Sequence, residues 1–336
     1  MELNDREYWL RYCRDAKTAS TQIGIEPIKW QRFKFSSPSG YNTSQSMLSV
    51  YEMGLLYALA RNHYQGHGAI IDAGPLLGAS TFALARGLAD NPTITDAQRK
   101  SQIYSYDLFR SHGYEKFLGD LKPAAVTGSL LPEFVAINRD YLDSIVIHQG
   151  DFMSWAWPNE PIEILFLDLA KSWALNAHAI KQMFPCLIPG KSILIQQDYV
   201  HFNEYWIHIT MEHFSECFRP LGFIWGATAY YPCERAPTKA EASVDLKALS
   251  YERKMELLTS ARQKAPLGVQ QVMKCAAAKC AIEHGQLGDT ETLLADVDLA
   301  IKGEHQSSDF SGIAKSNRDY MLDVLKFATD LTQRNT

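Results

Sequence analysis

From Gly68 to about Cys233, short runs of β-branched and aromatic residues alternate with stretches whose apolar positions recur every three or four residues. Runs apolar at successive positions, separated by helical segments, predict a parallel sheet covered by helices on both faces. The strands fall near 69–72, 102–106, 145–148, 163–167 and 192–196, with two shorter runs at Phe223–Trp225 and Thr228–Pro232. Ahead of the sheet, Tyr8, Trp9, Tyr12 and Ala16 sit at helical spacing within 5–16, and a polar, Ser-rich segment runs from Ser36 to Ser46. Met47, Tyr51, Leu55, Ala58 and Leu59 then mark one face of a helix over Met47–Arg61. After Pro237 the pattern becomes helical, with candidates at Val244–Arg262, Val269–His284, Thr290–Lys302 and Ser316–Thr332. Gly285 and Gly303 are placed as stops and Asp289 as a cap, and Tyr320, Val324, Phe327 and Leu331 share one face of the last helix.

These shifts divide the chain into an N-terminal helical segment (1–66), an α/β core (67–236) and a helical extension (237–336) that serves as lid, dimer surface or core cover. At 336 residues, 46% of them hydrophobic, the chain is long and apolar enough to bury a full core. No apolar run approaches the roughly 18 residues of a membrane span, and the charged start Met1–Arg6 does not read as a signal peptide, so the cytoplasm is the expected location. Six scattered cysteines without a Cys-x-x-Cys pair argue for reduced thiols rather than a disulfide framework or a zinc site. A net charge of -5 removes the electrostatic footprint of a general nucleic-acid binder.

Chemistry concentrates at the strand ends. In Ile70-Ile71-Asp72-Ala73-Gly74-Pro75-Leu76-Leu77-Gly78-Ala79-Ser80-Thr81 a strand breaks into a glycine turn and then a helix. Gly74 permits the sharp turn, Gly78 a close approach of ligand to backbone, and Ser80 and Thr81 offer hydroxyls and free amides at the helix start. Ligands of doubly wound sheets collect beyond the carboxyl ends of the strands. Each of the five strands has an acid there: Asp72, Asp107, Asp151, Asp168 and Asp198. The fourth strand continues Leu167-Asp168-Leu169-Ala170-Lys171, and the fifth ends Gln196-Gln197-Asp198-Tyr199-Val200-His201. Phe202, Tyr205 and Trp206 follow, at positions that suit either a substrate pocket or a core-facing helix.

The Asp72, Gly74, Gly78, Ser80 spacing resembles the first motif of class I S-adenosylmethionine-dependent methyltransferases, especially small-molecule O-methyltransferases of the catechol and macrocin (sugar) types. The resemblance implies a Rossmann-like, doubly wound, mostly parallel seven-stranded sheet. The runs at 223–225 and 228–232 would then form its reversed terminal hairpin, with N-terminal helices before the sheet and helices after it. It implies S-adenosylmethionine as cofactor, with Asp107 on the ribose hydroxyls, Asp151 on the adenine amine and Asp72 on the methionine ammonium; Gly74, Gly78, Ser80, Thr81 and Asp168 join the binding set. Asp168 and Lys171 match a Leu-Asp-x-x-Lys in which the acid binds magnesium and the lysine takes the substrate proton. Gln197-Asp198-Tyr199 resembles an Asp-Asp-Tyr segment of metal-dependent sugar O-methyltransferases, but with Gln197 in place of the first acid. Asp168 and Asp198 with the Gln197 amide oxygen form the candidate magnesium set, and His201 is a further candidate base or ligand.

The expected activity is methyl transfer to an oxygen of a small hydroxylated molecule such as a sugar, with no nucleic-acid or membrane partner and self-association through the helical extensions. Two alternatives differ in class. A nicotinamide-dependent oxidoreductase would use a glycine turn, but residue 76 is Leu where its second glycine would fall. A noncatalytic binding or scaffold protein on the same fold would account for Gln197.

Overall fold

The computed structural model describes residues 48, 50–111, 128–224, 228–265, 267–303 and 311–334. The predicted 5–16 helix, the Ser36–Ser46 segment, Cys13 and Trp225 lie outside these residues, as does much of the Phe109–Tyr141 insert, here 112–127.

The chain runs α1 (Val50–Ala58), extended by a wider turn at Leu59–His63, then β1 (Ala69–Ala73), α2 (Ala79–Ala89) and β2 (Ile103–Asp107). Next come α3 (Leu131–Asn138), β3 (Ile145–Gln149), β4 (Ile162–Leu167), α4 (Trp173–Met183), β5 (Ile193–Gln196) and α5 (Tyr205–His213). The hairpin β6 (Gly222–Ile224) and β7 (Thr228–Pro232) precedes the helices α6 (Tyr251–Lys264), α7 (Leu267–Glu283), α8 (Leu287–Gly303) and α9 (Ser311–Arg334). The strands form one sheet in the order β3-β2-β1-β4-β5-β7-β6. The first five are parallel and β7 is antiparallel to both β5 and β6.

Because successive side chains alternate across a strand, an all-apolar strand feeds two cores. Ile71, Leu165, Leu167 and Leu194 pack on one side of the sheet, with buried residues of α4 and α5. Ile70, Ile164, Phe166, Ile193 and Ile195 pack on the other, with α1, α2 and α3. The helical extension adds Leu257, Val269, Val272, Cys275, Leu294, Val297 and Met321 to the first of these cores. The α4–α5 side is thus two helical layers deep.

Helix ends depart from the sequence pattern where side chains cap earlier turns. The expected start at Val244 is replaced by short turns, because Asp245 accepts from the amides of Lys247 and Ala248. The continuous helix begins only after Ser250, whose hydroxyl accepts from the Arg253 amide at 3.2 Å. Asp289 lies inside the first turn of α8 and accepts a hydrogen bond from Tyr251 Oη at 2.6 Å, so it ties two helices together instead of capping one. Gly285, with φ +72°, does end α7. Among the described residues no helix is long and apolar enough to cross a membrane.

Candidate active site at the carboxyl edge of the sheet

Strand register gathers the sequence-predicted residues at one edge. The Gly74 amide donates to Tyr106 O, Asp168 to Ala73 O, Gln197 to Leu167 O and Gly150 to Asp107 O, at 2.8–3.0 Å. All five strand ends therefore stop at one level. The chain turns to opposite faces after β1 and after β4, so these neighbours flank the topological switch point, where doubly wound sheets form their crevice. At Gly74, φ +100°, a Cβ would lie 2.7 Å from Asp168 O, so only glycine lets the two strand ends come this close.

The glycine turn itself is built differently from the expectation. Gly78 has φ +95°, and a Cβ there would meet Asn138 Nδ2 and, at 2.7 Å, Phe134 Cδ2. The close approach it permits is that of α3, and its carbonyl accepts from Asn138 Nδ2 at 3.3 Å. Asp72 is buried within β1, where Ser80 Oγ donates to it at 2.8 Å and Thr81 Oγ1 at 2.5 Å. These three residues, expected to meet the cofactor, spend their polar atoms on one another and lock α2 onto β1. An ammonium ion could not reach Asp72 without breaking that lock.

Burial pushes the Asp72 carboxyl up to about 7, against the pull of the Thr81 and Ser80 hydroxyls. A carboxyl raised in the folded state contributes stability below its unfolded value near 4, and that contribution is lost as pH rises through about 7. Roughly three units correspond to about 4 kcal/mol at most. Asp72→Asn keeps an acceptor for the two hydroxyls and removes the titration. Its thermal stability is expected to fall less between pH 4 and 8 than that of the wild type; parallel curves would show that Asp72 titrates normally.

Asp107 ends β2 half-buried, with Oδ2 accepting from the Leu76 amide at 2.9 Å and Oδ1 from the Phe109 amide at 2.7 Å. Burial raises this carboxyl too, offset in part by those amides. It therefore fastens the glycine turn, and with about four lone-pair directions on an ionised carboxylate it retains capacity toward the cleft. Asp151 is exposed and caps the turn Phe152–Ser154 through the Met153 amide at 2.9 Å. Beside these acids stand two large apolar side chains that the sequence reading passed over, Leu108 (46% exposed) and Met153 (44%). Their signal was position: each follows a strand-end acid by one or two residues, where a solvated loop would ordinarily be polar.

On the other side of the switch point, Lys171 Nζ donates to Asp168 Oδ1 at 2.8 Å and is also paired with Asp198 Oδ2. Burial works against the ammonium charge, but the two carboxylates more than offset it and hold the group above its ordinary range. Lys171 is thus held as a cation between two carboxylates in this arrangement. Asp168 is raised, first by burial and then by Asp198, with Lys171 opposing.

His201 lies one turn beyond Asp198, its Nδ1 paired with Glu204 Oε2. Glu204 raises the imidazole above its usual value, burial opposing. Among the described residues Nε2 has no hydrogen-bond partner. Glu204, three residues on, is a third residue missed in the sequence, although the spacing was available to show it.

Three of the described non-glycine residues with positive φ lie at this edge: Leu76 (+51°), Phe109 (+49°) and Asp198 (+61°). Each costs of the order of 1–3 kcal/mol. Phe202, Tyr205 and Trp206 are buried core residues, not pocket lining. Trp206 Nε1 donates to Ala170 O at 2.6 Å, which fixes the loop that carries Lys171.

The candidate magnesium ligands do not fit a divalent ion. Gln197 is buried with its Oε1 against Thr228 Oγ1, whose single proton is shared with Glu52 Oε1 at 2.7 Å, so the amide is committed away from the cleft. Asp168 and Asp198 are bridged by the Lys171 ammonium. Among the described residues no group of three or more His, Cys, Asp and Glu side chains is arranged to hold a metal.

No protein-family model and no curated protein matches the sequence. Among solved structures the chain is similar to the calicheamicin methyltransferase CalS11, at 16% identity over 69% of this chain and 98% of that one, with a TM-score of 0.40. An apo structure of CalS11, described as a TDP-rhamnose 3'-O-methyltransferase, gives 18% identity over 65% and 92%, with a TM-score of 0.39. The SAH-bound Podospora anserina methyltransferase PaMTH1 gives 12% over 66% and 95%, also at 0.39. Identities this low say nothing of what this chain acts on. The parallel strands, the glycine turn after β1 and the reversed β6–β7 hairpin give the chain the fold expected from the resemblance to class I S-adenosylmethionine-dependent methyltransferases.

Proposed function

We propose that this chain is an S-adenosylmethionine-dependent methyltransferase that methylates an oxygen of a small hydroxylated acceptor. The observation that carries this reading is the register of the strand ends. It sets the Asp107 carboxylate with apolar neighbours on one side of the switch point and an acid–lysine–acid cluster with a histidine on the other. The donor set fits the cofactor. Asp107 has acceptor capacity for ribose hydroxyls, Leu108 and Met153 offer exposed apolar surface for a base, and Asp151 stands beside Met153. With Asp72 committed to α2, the net negative charge of the Asp168–Lys171–Asp198 cluster is the counterpart for a positively charged ligand.

When bound, the cofactor supplies a methyl carbon made electrophilic by its sulfonium, so that a bond from an acceptor oxygen forms as the carbon–sulfur bond breaks. The protein's part is alignment and removal of one proton. Lys171 orients the acceptor oxygen by hydrogen bond, and His201 Nε2 accepts its proton, with Glu204 holding Nδ1–H and stabilising the imidazolium that results. The acceptor side is completed by α9, whose exposed Tyr320 stands 5.7 Å from Phe202, the neighbour of His201.

Two measurements test this reading. Incubation with S-adenosylmethionine and a panel of sugars, phenols and polyols is expected to release S-adenosylhomocysteine with at least one acceptor. For that acceptor, turnover is expected to rise with pH through a single limb above the ordinary histidine range, because His201 must be neutral to accept the proton and Glu204 raises it. Glu204→Gln should move the limb to lower pH and His201→Asn should abolish it. A profile unchanged in both variants would remove His201 from the reaction.

A further inference from the structure

We propose that the Lys171 ammonium takes the place of a divalent cation in this site, so that the acceptor is held by a lysine and methyl transfer is metal-independent. The inference rests on the methyl-transfer reading above but comes from a different set of contacts. A divalent ion between β4 and β5 needs carboxylates that face each other with no cation between them and further oxygens to complete its shell. Asp168 and Asp198 do face each other, but the space between them is filled by Nζ, 2.8 Å from Asp168 Oδ1 and paired with Asp198 Oδ2. The third oxygen, Gln197 Oε1, is buried on Thr228 and cannot turn toward them without giving up that contact. Two features fix Lys171 in that position. Trp206 Nε1 grips Ala170 O at 2.6 Å, immediately before the lysine, and Ser172 immediately after it caps α4 through the Leu175 amide at 3.2 Å. Asp198 reaches the lysine from a left-handed backbone, φ +61°, a strain that the ion pair is placed to offset.

The substitution changes the charge of the site. Two carboxylates and one ammonium leave a single negative charge, where two carboxylates and a divalent ion would leave none. An ammonium has three N–H donors and no ability to chelate. With two donors on the carboxylates, one remains, so the acceptor is held through a single oxygen rather than through a chelating pair. Acceptors with one reactive hydroxyl therefore suit the site as well as vicinal diols do.

Mn²⁺ titration followed by electron paramagnetic resonance tests this with no need of cofactor or acceptor. Wild-type protein is expected to leave the free Mn²⁺ signal unchanged up to about millimolar ion, since the ammonium already occupies the space between the carboxylates and offsets one of their charges. Lys171→Ala bares both carboxylates and should gain one Mn²⁺ site per chain, bound about tenfold more tightly or better than any binding to wild type. Lys171→Gln should gain the same site, and adding Asp198→Asn to either variant should remove it. Thermal melts of each variant show that a folded protein is being titrated. Mn²⁺ binding by wild type within a few-fold of the variants would overturn the proposal, and so would the absence of any gain in both folded variants. Failure of the methyl-transfer reading would appear separately, as wild-type protein that does not bind S-adenosylmethionine.

Discussion

Turnover of Lys171→Met is expected to fall by about 10²–10³, the usual cost of removing one fixed donor from a reacting oxygen, while cofactor affinity stays within a few-fold. The split follows from geometry. Lys171 projects from the loop after β4 and pairs with the acids that follow β4 and β5, whereas Asp107, the carboxylate proposed for the ribose hydroxyls, ends β2 on the far side of β1. Removing the lysine leaves Asp168 and Asp198 facing each other without a cation, which raises their mutual repulsion; both are only half-buried, so solvent screens part of the cost. A melting curve taken beside the kinetics separates instability from lost catalysis. Lys171→Arg keeps the charge and should recover part of the rate. Normal turnover in a folded Lys171→Met protein would make the ion cluster a structural clamp and leave the acceptor to be oriented by His201 alone.

Asp107→Ala is expected to weaken S-adenosylmethionine binding by roughly 2–5 kcal/mol, taking about 1.5–3 kcal/mol for each hydrogen bond to a charged acceptor and allowing for non-additivity. Part of that loss is indirect. The same carboxylate fastens the Leu76 amide, so its removal also frees a turn that holds Leu76 at φ +51°. Asp107→Asn distinguishes the two contributions, since its remaining oxygen can accept only a share of the bonds to ribose and backbone. Calorimetry should rank affinities as wild type, then Asn, then Ala. Equal affinities for all three would place the cofactor elsewhere on the protein.

What the sequence disclosed and what it hid divide along a physical line. The strands were legible because their apolar runs must fill two cores at once, and Ile70 and Ile71 do occupy opposite sides of the sheet. Strand-end acids were legible because the connection pattern dictates where the carboxyl edge lies. Which way each acid turns was not. Asp72 is spent on Ser80 and Thr81, eight and nine residues later, a pairing set by how the glycine turn brings α2 back over β1. Gly78 shows the same limit: its positive φ was foreseeable, but the neighbour it admits is Phe134 of α3, 56 residues on in sequence, and not a ligand. The Asp168–Lys171 pair follows from spacing, whereas Asp198 joins it only through the β4–β5 register, which sets a second carboxylate against the lysine. Leu108 and Met153 were missed because apolar residues outside a periodic run look like noise until their exposure is known.

The central claim, that the edge between β1, β2 and β4 holds S-adenosylmethionine, is tested most directly by isothermal calorimetry on the wild-type protein with S-adenosylmethionine, S-adenosylhomocysteine and NAD in parallel. Saturable binding of both adenosyl compounds at one per chain, with no heat from NAD, is the expected result. Absence of adenosyl-compound binding, or binding of NAD in its place, would contradict it.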